Sequence, residues 1–235
     1  MCSRFYLDVE SSEKLKSILE EAGRRQLALT GENTVVRGEA FPSQVVAALA
    51  LSKSGKTAAF PMEWGFHRKD GKGLIINTRS ETATSSPLFR DSMQERRCLI
   101  PASWYYEWES RNLQQSLFET SEELSPSVQI EEERLSPARR SRHIKKIKHA
   151  IRPRGQEVIF LAAIYRYEPD RRLPVCSILT RDASPDIAFI HPRMPVIFSE
   201  DNAMKWLDRK LDPTEQLAQC RMDMIYQAVK EQSHD

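Results

Sequence analysis

Hydrophobic and polar positions alternate along most of this chain with the short period of β-strands, and only a few windows carry the longer helical repeat. Leu15, Ile18 and Leu19 form an apolar stripe behind Ser11 and Ser12, which predicts a capped helix over 11–22, ended by Gly23 or Gly31. After the turn Ala40-Phe41-Pro42-Ser43, residues 44–49 read as a strand. Residues 60–66 alternate in part and run to the turn Asp70-Gly71-Lys72-Gly73. Leu74-Ile75-Ile76-Asn77 is then a short strand with a polar residue at its end. A helix or loop around Pro87 fills 82–95. The runs 97–101 and 104–108 are strands joined at Pro101-Ala102-Ser103. Further strands are expected at 157–165, 175–180 and 196–198, with a helix at 202–207 and a C-terminal helix over 213–231. Strands outnumber helices without βαβ alternation or a glycine-rich phosphate loop, so the class is α+β, rich in β structure, with short flanking helices.

The pattern fails between about 109 and 156. The first half is acidic, with Glu119, Glu122, Glu123 and Glu131 to Glu133, and the second is basic, with Arg139, Arg140, Lys145, Lys146 and Lys148. So few large apolar side chains cannot bury much surface, and the segment reads as a charged insertion, mobile, loosely folded or hairpin-like, in one domain spanning 1–235.

Composition narrows the class. The 235 residues allow one large core, and a net charge of +2 does not announce nucleic-acid binding unless basic residues cluster locally. No run of 18 apolar residues suggests a membrane span, and no signal-peptide pattern opens the chain, so a cytoplasmic monomer is expected. Cys2, Cys98, Cys176 and Cys220 stand far apart without a CxxC pair. They read as free thiols with no metal site and no cofactor; Cys98 and Cys176, in apolar runs, read as core.

Cys2 is the most informative residue. Met-aminopeptidases remove the initiator before a small side chain, which would leave Cys2 with an α-amine (reference pKa about 7.7–8.0) and a thiol (about 8.5) on one residue. An aldehyde meeting that pair can form an imine with the amine, after which the thiol closes a five-membered ring. Three other polar groups end apolar strands: Asn77, Glu107 within Trp104-Tyr105-Tyr106-Glu107-Trp108, and His191 in His191-Pro192-Arg193-Met194-Pro195. Each alone has an ordinary structural explanation; their co-occurrence with Cys2 points to a site.

Seven elements occur in order: Met1-Cys2-x-Arg4-Phe5, Trp64-Gly65, Asn77-x-Arg79-x-Glu81-Thr82, Pro87-x-Phe89-Arg90, Arg97-Cys98-Leu99-Ile100-Pro101-Ala102, Tyr106-Glu107-Trp108 and His191-x-Arg193-Met194-Pro195-Val196-Ile197. In these the chain resembles the SRAP family (SOS response-associated peptidase), the abasic-site processing proteins. It departs at Ser3, where the family usually has glycine, and in its long charged insertion. The resemblance implies an SRAP-type fold and covalent capture of abasic sites in single-stranded DNA, with nucleoid association when bound.

In that reading Cys2 forms the thiazolidine, Glu107 shuttles protons, His191 donates a proton to the sugar oxygen, and Asn77 holds the Cys2 amine or the sugar hydroxyl. Arg4, Arg79 and Arg193 would contact phosphates. Trp64, with Phe66 and Met62, would form a ledge for base stacking, although Trp64 reads equally as a core aromatic. Autocleavage of the leader and weak lyase activity also follow from the resemblance. The alternatives are a non-covalent single-stranded DNA binding module and an N-terminal-nucleophile amidohydrolase or peptidase.

Overall fold

The computed structural model of the protein describes residues 2–112 and 144–229. Strands dominate, as expected of a β-rich α+β fold. In chain order the elements begin β1 (Arg4–Leu7), α1 (Glu13–Thr30), β2 (Gly38–Ala40), β3 (Val45–Leu51), β4 (Thr57–Trp64), β5 (Phe66–His67), β6 (Leu74–Ile75) and β7 (Asn77–Arg79). Then come α2 (Ser80–Ala83), α3 (Arg90–Glu95), β8 (Arg97–Ala102), β9 (Trp104–Asn112), β10 (Ile144–Pro153), β11 (Ile159–Arg166) and β12 (Val175–Asp182). The chain closes with β13 (Arg193–Pro195), β14 (Ile197–Phe198), α4 (Glu200–Leu207), α5 (Pro213–Leu217) and β15 (Met224–Ala228).

Five strands close into a ring. They run β12-β4-β3-β8-β11, and β11 pairs back onto β12 through Ala163↔Ile178 to Arg166↔Val175. β8 and β11 are buried along almost their whole length, which is why they read as continuous apolar runs rather than alternating ones. A second sheet, β15-β10-β9-β1-β2, lies beside the ring. The chain passes from one sheet to the other at Ser103, whose N–H donates to Tyr6 O (2.8 Å) and whose Oγ accepts from Asp8 N (2.9 Å). Phe5 of β1 meets Trp64 of β4 with ring centroids 5.1 Å apart, both fully buried. Each such ring removed from water contributes roughly 1.5–3 kcal/mol.

Gly65 decides where Asn77 goes. β4 runs parallel to β12 only at Val175↔Glu63 and Cys176↔Trp64. At Gly65 the backbone turns to φ +127°, and a Cβ there would lie 2.9 Å from the Leu74 side chain. The chain leaves as the β5–β6 hairpin, and β7 takes the vacated place along β12, pairing Ile178↔Asn77 to Thr180↔Arg79.

Three expectations are corrected. Helix α1 runs on to Thr30, past Gly23, which packs against the Asn33 side chain; of the two expected stops it is Gly31 that ends it, in the left-handed region, its N–H bonding Leu27 O. The helix expected over 213–231 is only α5, followed by β15. The non-local partner β10 recruits the Met224–Ala228 segment, and local periodicity carries no sign of that pairing. Finally, the stretch assigned to an insertion is folded at both ends, since β9 continues to Asn112 and β10 begins at Ile144 and pairs with it. The rest of that stretch lies outside the described residues. No helix among the described residues is long and apolar enough to cross a membrane.

Candidate active site

Cys2 sits at the open end of β1, where its side chain is completely buried. Asn77, delivered by β7, donates from Nδ2 to Cys2 O at 2.8 Å, tying the N-terminal segment to the barrel. The thiol lies 3.8 Å from Arg4 O. Burial pushes the Cys2 thiol far above its ordinary range, and the charge of nearby Glu107 pushes it further. The thiol is therefore protonated at neutral pH.

Glu107 is the carboxylate whose charge acts on that thiol. It lies on β9 and is 5% exposed. Tyr105, two residues earlier on the same face, is fully buried; burial first, then the charges of Cys2 and Glu107, hold its phenol well above its ordinary range. The three side chains form one desolvated cluster under the end of β1.

His191 lies at the start of the segment leading into β13. Its Nδ1 lies 2.9 Å from Arg193 N–H, from which it accepts when unprotonated, and 3.0 Å from Arg193 O, to which an Nδ1–H would donate. β13 pairs with β12 at Thr180↔Pro195, next to Thr180↔Arg79, so the His191 segment and the Asn77 strand are anchored on the same stretch of β12.

The basic residues divide by environment. Arg193 is 13% exposed and held by a fork to Glu81 (2.6 and 2.9 Å), by Asp182 (2.6 Å) and by Thr180 O (2.8 Å). Its first work is to clamp α2 to β12 and β13. Arg4 pairs with Glu39 (3.3 Å) and lies over the rings of Phe41 and Trp108. Arg79 is exposed and makes no ion pair among the described residues. The stacking ledge expected of Trp64, Phe66 and Met62 is not present. All three are buried in the core, and Trp64 Nε1 is spent on Ile76 O (3.0 Å), which leaves no ring face open to a base.

Two buried polar residues escaped the sequence reading. Glu109 and His149 bond each other at 3.0 Å, and Arg111 grips the same carboxylate (Nε to Oε1, 2.7 Å). Their signal was the alternation Tyr105, Glu107, Glu109, Arg111, legible only once β9 is carried past Trp108. No group of three or more His, Cys, Asp or Glu side chains among the described residues is arranged to hold a metal ion.

The family model described as SOS response associated peptidase (SRAP) matches residues 1–232. The chain belongs to the SRAP family. It is 27% identical over 218 residues to "Abasic site processing protein YoqW" of Bacillus subtilis, covering 89% of this chain and 81% of that one. It is 30% identical over 175 residues to "Abasic site processing protein HMCES" of Gallus gallus, covering 68% of this chain and 48% of that longer protein. Among solved structures, a Bacteroides thetaiotaomicron protein superposes with TM-score 0.67 at 17% identity, over 97% of this chain and 92% of its own. A phage-related protein of Bordetella bronchiseptica gives 0.64 at 15%, over 98% and 95%. These two likenesses establish a shared fold.

Proposed function

We propose that this SRAP protein captures abasic sites in single-stranded DNA by forming a thiazolidine on Cys2 once Met1 has been removed. The observation that carries the reading is the burial of Cys2 against Glu107, with its carbonyl held by Asn77. A buried thiol beside a carboxylate, away from water, supports that reading. The names of the relatives, abasic site processing proteins, support the choice of substrate.

The chemistry balances in two steps. The neutral Cys2 amine adds to the aldehyde carbon of the ring-opened sugar, and the carbinolamine loses water to give an imine, with Glu107 relaying protons. The Cys2 sulfur then adds to the imine carbon; the thiol proton passes to Glu107 and onward to the ring nitrogen. His191 supplies the proton that opens the furanose. The same imine permits β-elimination of the 3′ phosphate, so slow strand cleavage belongs to this reading, as does removal of Met1 by the protein itself. Arg79 and Arg4 are the proposed phosphate contacts, with Arg193 holding the site in shape.

The test is incubation of Met1-processed protein with an abasic oligonucleotide. A heat-stable shifted band that is lost in Cys2→Ala and kept in Cys220→Ala supports the reading. An unchanged band in Cys2→Ala, or equal non-covalent affinity for intact and abasic strands with no covalent product, refutes it.

A further inference from the structure

With Trp64 in the core, the aromatic surface of this protein lies elsewhere. Phe189 and Tyr226 are 52% and 48% exposed, and their rings meet edge to face, centroids 5.2 Å apart at 71°. Among the described residues no other pair of touching rings has both members so open to water. A single exposed apolar side chain needs no explanation, but two that touch form a patch.

Both rings belong to segments of the candidate site. Phe189 stands two residues before His191, in a turn closed by His191 N–H on Ile187 O (3.3 Å), and two residues of chain span at most about 7 Å. Tyr226 pairs across the sheet with Ile151, which pairs in turn with Tyr105, so the three form one row on the face that carries Glu107. Next along β10, His149 is the cross-strand partner of Glu107, and its ring lies 5.5 Å from that of Tyr226 and 6.4 Å from that of Phe189. The pair covers that buried imidazole, yet about half of each side chain stays in water. Arg152, beside Ile151 on β10, lines the same surface cleft as Tyr226; it is exposed and makes no ion pair among the described residues.

An abasic nucleotide offers nothing to stack on, but its neighbour in the strand keeps a base. That base has lost its stacking partner on the side of the lesion. Exposed aromatic rings with a cation beside them take such a base whatever its identity, because every base has a π-face. We propose that Phe189 and Tyr226 are the platform on which the base next to the abasic site stacks, with Arg152 at its phosphate. This deepens the crosslinking reading above and rests on it. The platform holds the strand while Cys2 meets the sugar.

The experiment uses abasic oligonucleotides carrying 2-aminopurine on the 5′ or the 3′ side of the lesion, and a matched strand with a tetrahydrofuran spacer in place of that neighbour. Wild type is compared with Phe189→Leu and Tyr226→Leu, which keep an apolar cover over His149 but remove the ring. Wild type should quench 2-aminopurine fluorescence on one side of the lesion, and both variants should lose that quenching. The protein concentration for half-maximal crosslinking rate should rise roughly 5–20-fold in each variant, by more than any fall in the saturating rate. On the spacer strand wild type should drop to the level of the variants, and the variants should lose nothing further. The strand comparison needs no variant, so it carries the test if a substitution prevents folding. No quenching on either side, or variants weakened equally on both strands, overturns the proposal and leaves the rings as a cover for His149 or a docking patch for another protein. A wild-type protein that forms no crosslink with any abasic strand overturns the underlying reading itself.

Discussion

Asn77 donates a 2.8 Å hydrogen bond to the carbonyl oxygen of Cys2 across 75 positions of sequence. A short strand of the barrel thereby holds the segment on which the proposed chemistry depends. Removing the amide frees that segment without touching the thiol. Asn77→Ala is expected to slow single-turnover crosslinking about 10–100-fold, as lost positioning does, while DNA affinity changes little. Asn77→Asp should be worse, because it sets an acceptor against an acceptor. A rate equal to wild type in both variants would make the contact incidental.

Gly65 is the second positioning device. With φ at +127° and Leu74 2.9 Å from the place of a Cβ, Gly65→Ala is strained whatever the neighbours do. Urea unfolding should show a loss of about 1–3 kcal/mol. Crosslinking by the folded fraction should also slow, because Asn77 shifts with β7. Full stability in this variant would show that β4 and β7 exchange places along β12 without the glycine.

The arginines are expected to separate in their salt dependence. Arg79 is exposed, so Arg79→Ala should reduce the log–log salt slope of single-strand binding by roughly 0.7. Arg193→Gln breaks the fork to Glu81, and its main effect should be a lower melting temperature. Finding the reverse, a slope change at Arg193 with none at Arg79, would reassign the phosphate contact.

Acid stability follows from the carboxylates held below their ordinary values. Glu109 is nearly buried and ionised by Arg111 and His149, despite the opposing effect of burial. A carboxylate depressed in the folded state contributes stability that is complete above its unfolded value, about 4.3, and is lost as pH falls through the lower folded value. Melting temperature should therefore fall from pH 5 toward pH 3, and Glu109→Gln should flatten that decline. An equally steep decline in the variant would place the acid sensitivity elsewhere.

Much of this architecture was legible in the chain. The strands of the barrel announce themselves because both faces of β8 and β11 are buried, which leaves unbroken apolar runs. Cys2, Asn77, Glu107 and His191 stand out in the sequence as polar groups at the ends of apolar runs, although the structure sets Glu107 inside β9 and Asn77 at the start of β7. What could not be read depends on long-range pairing. β15 is a strand only because β10 offers it an edge, and β10 lies in a stretch whose charge density mimics an unfolded segment. Trp64 was ambiguous for a related reason. An aromatic beside a glycine serves equally as a ledge or as core, and Phe5, 59 positions away, settles it.

The most direct measurement of the central claim is the mass of the peptide carrying the abasic DNA adduct after digestion of the crosslinked protein. The account predicts a fragment beginning at Cys2, heavier than the free peptide by the sugar-bearing DNA remnant less one water, with neither amine nor thiol open to alkylation. An adduct on a lysine or on Cys220, or a fragment still beginning at Met1, would contradict it.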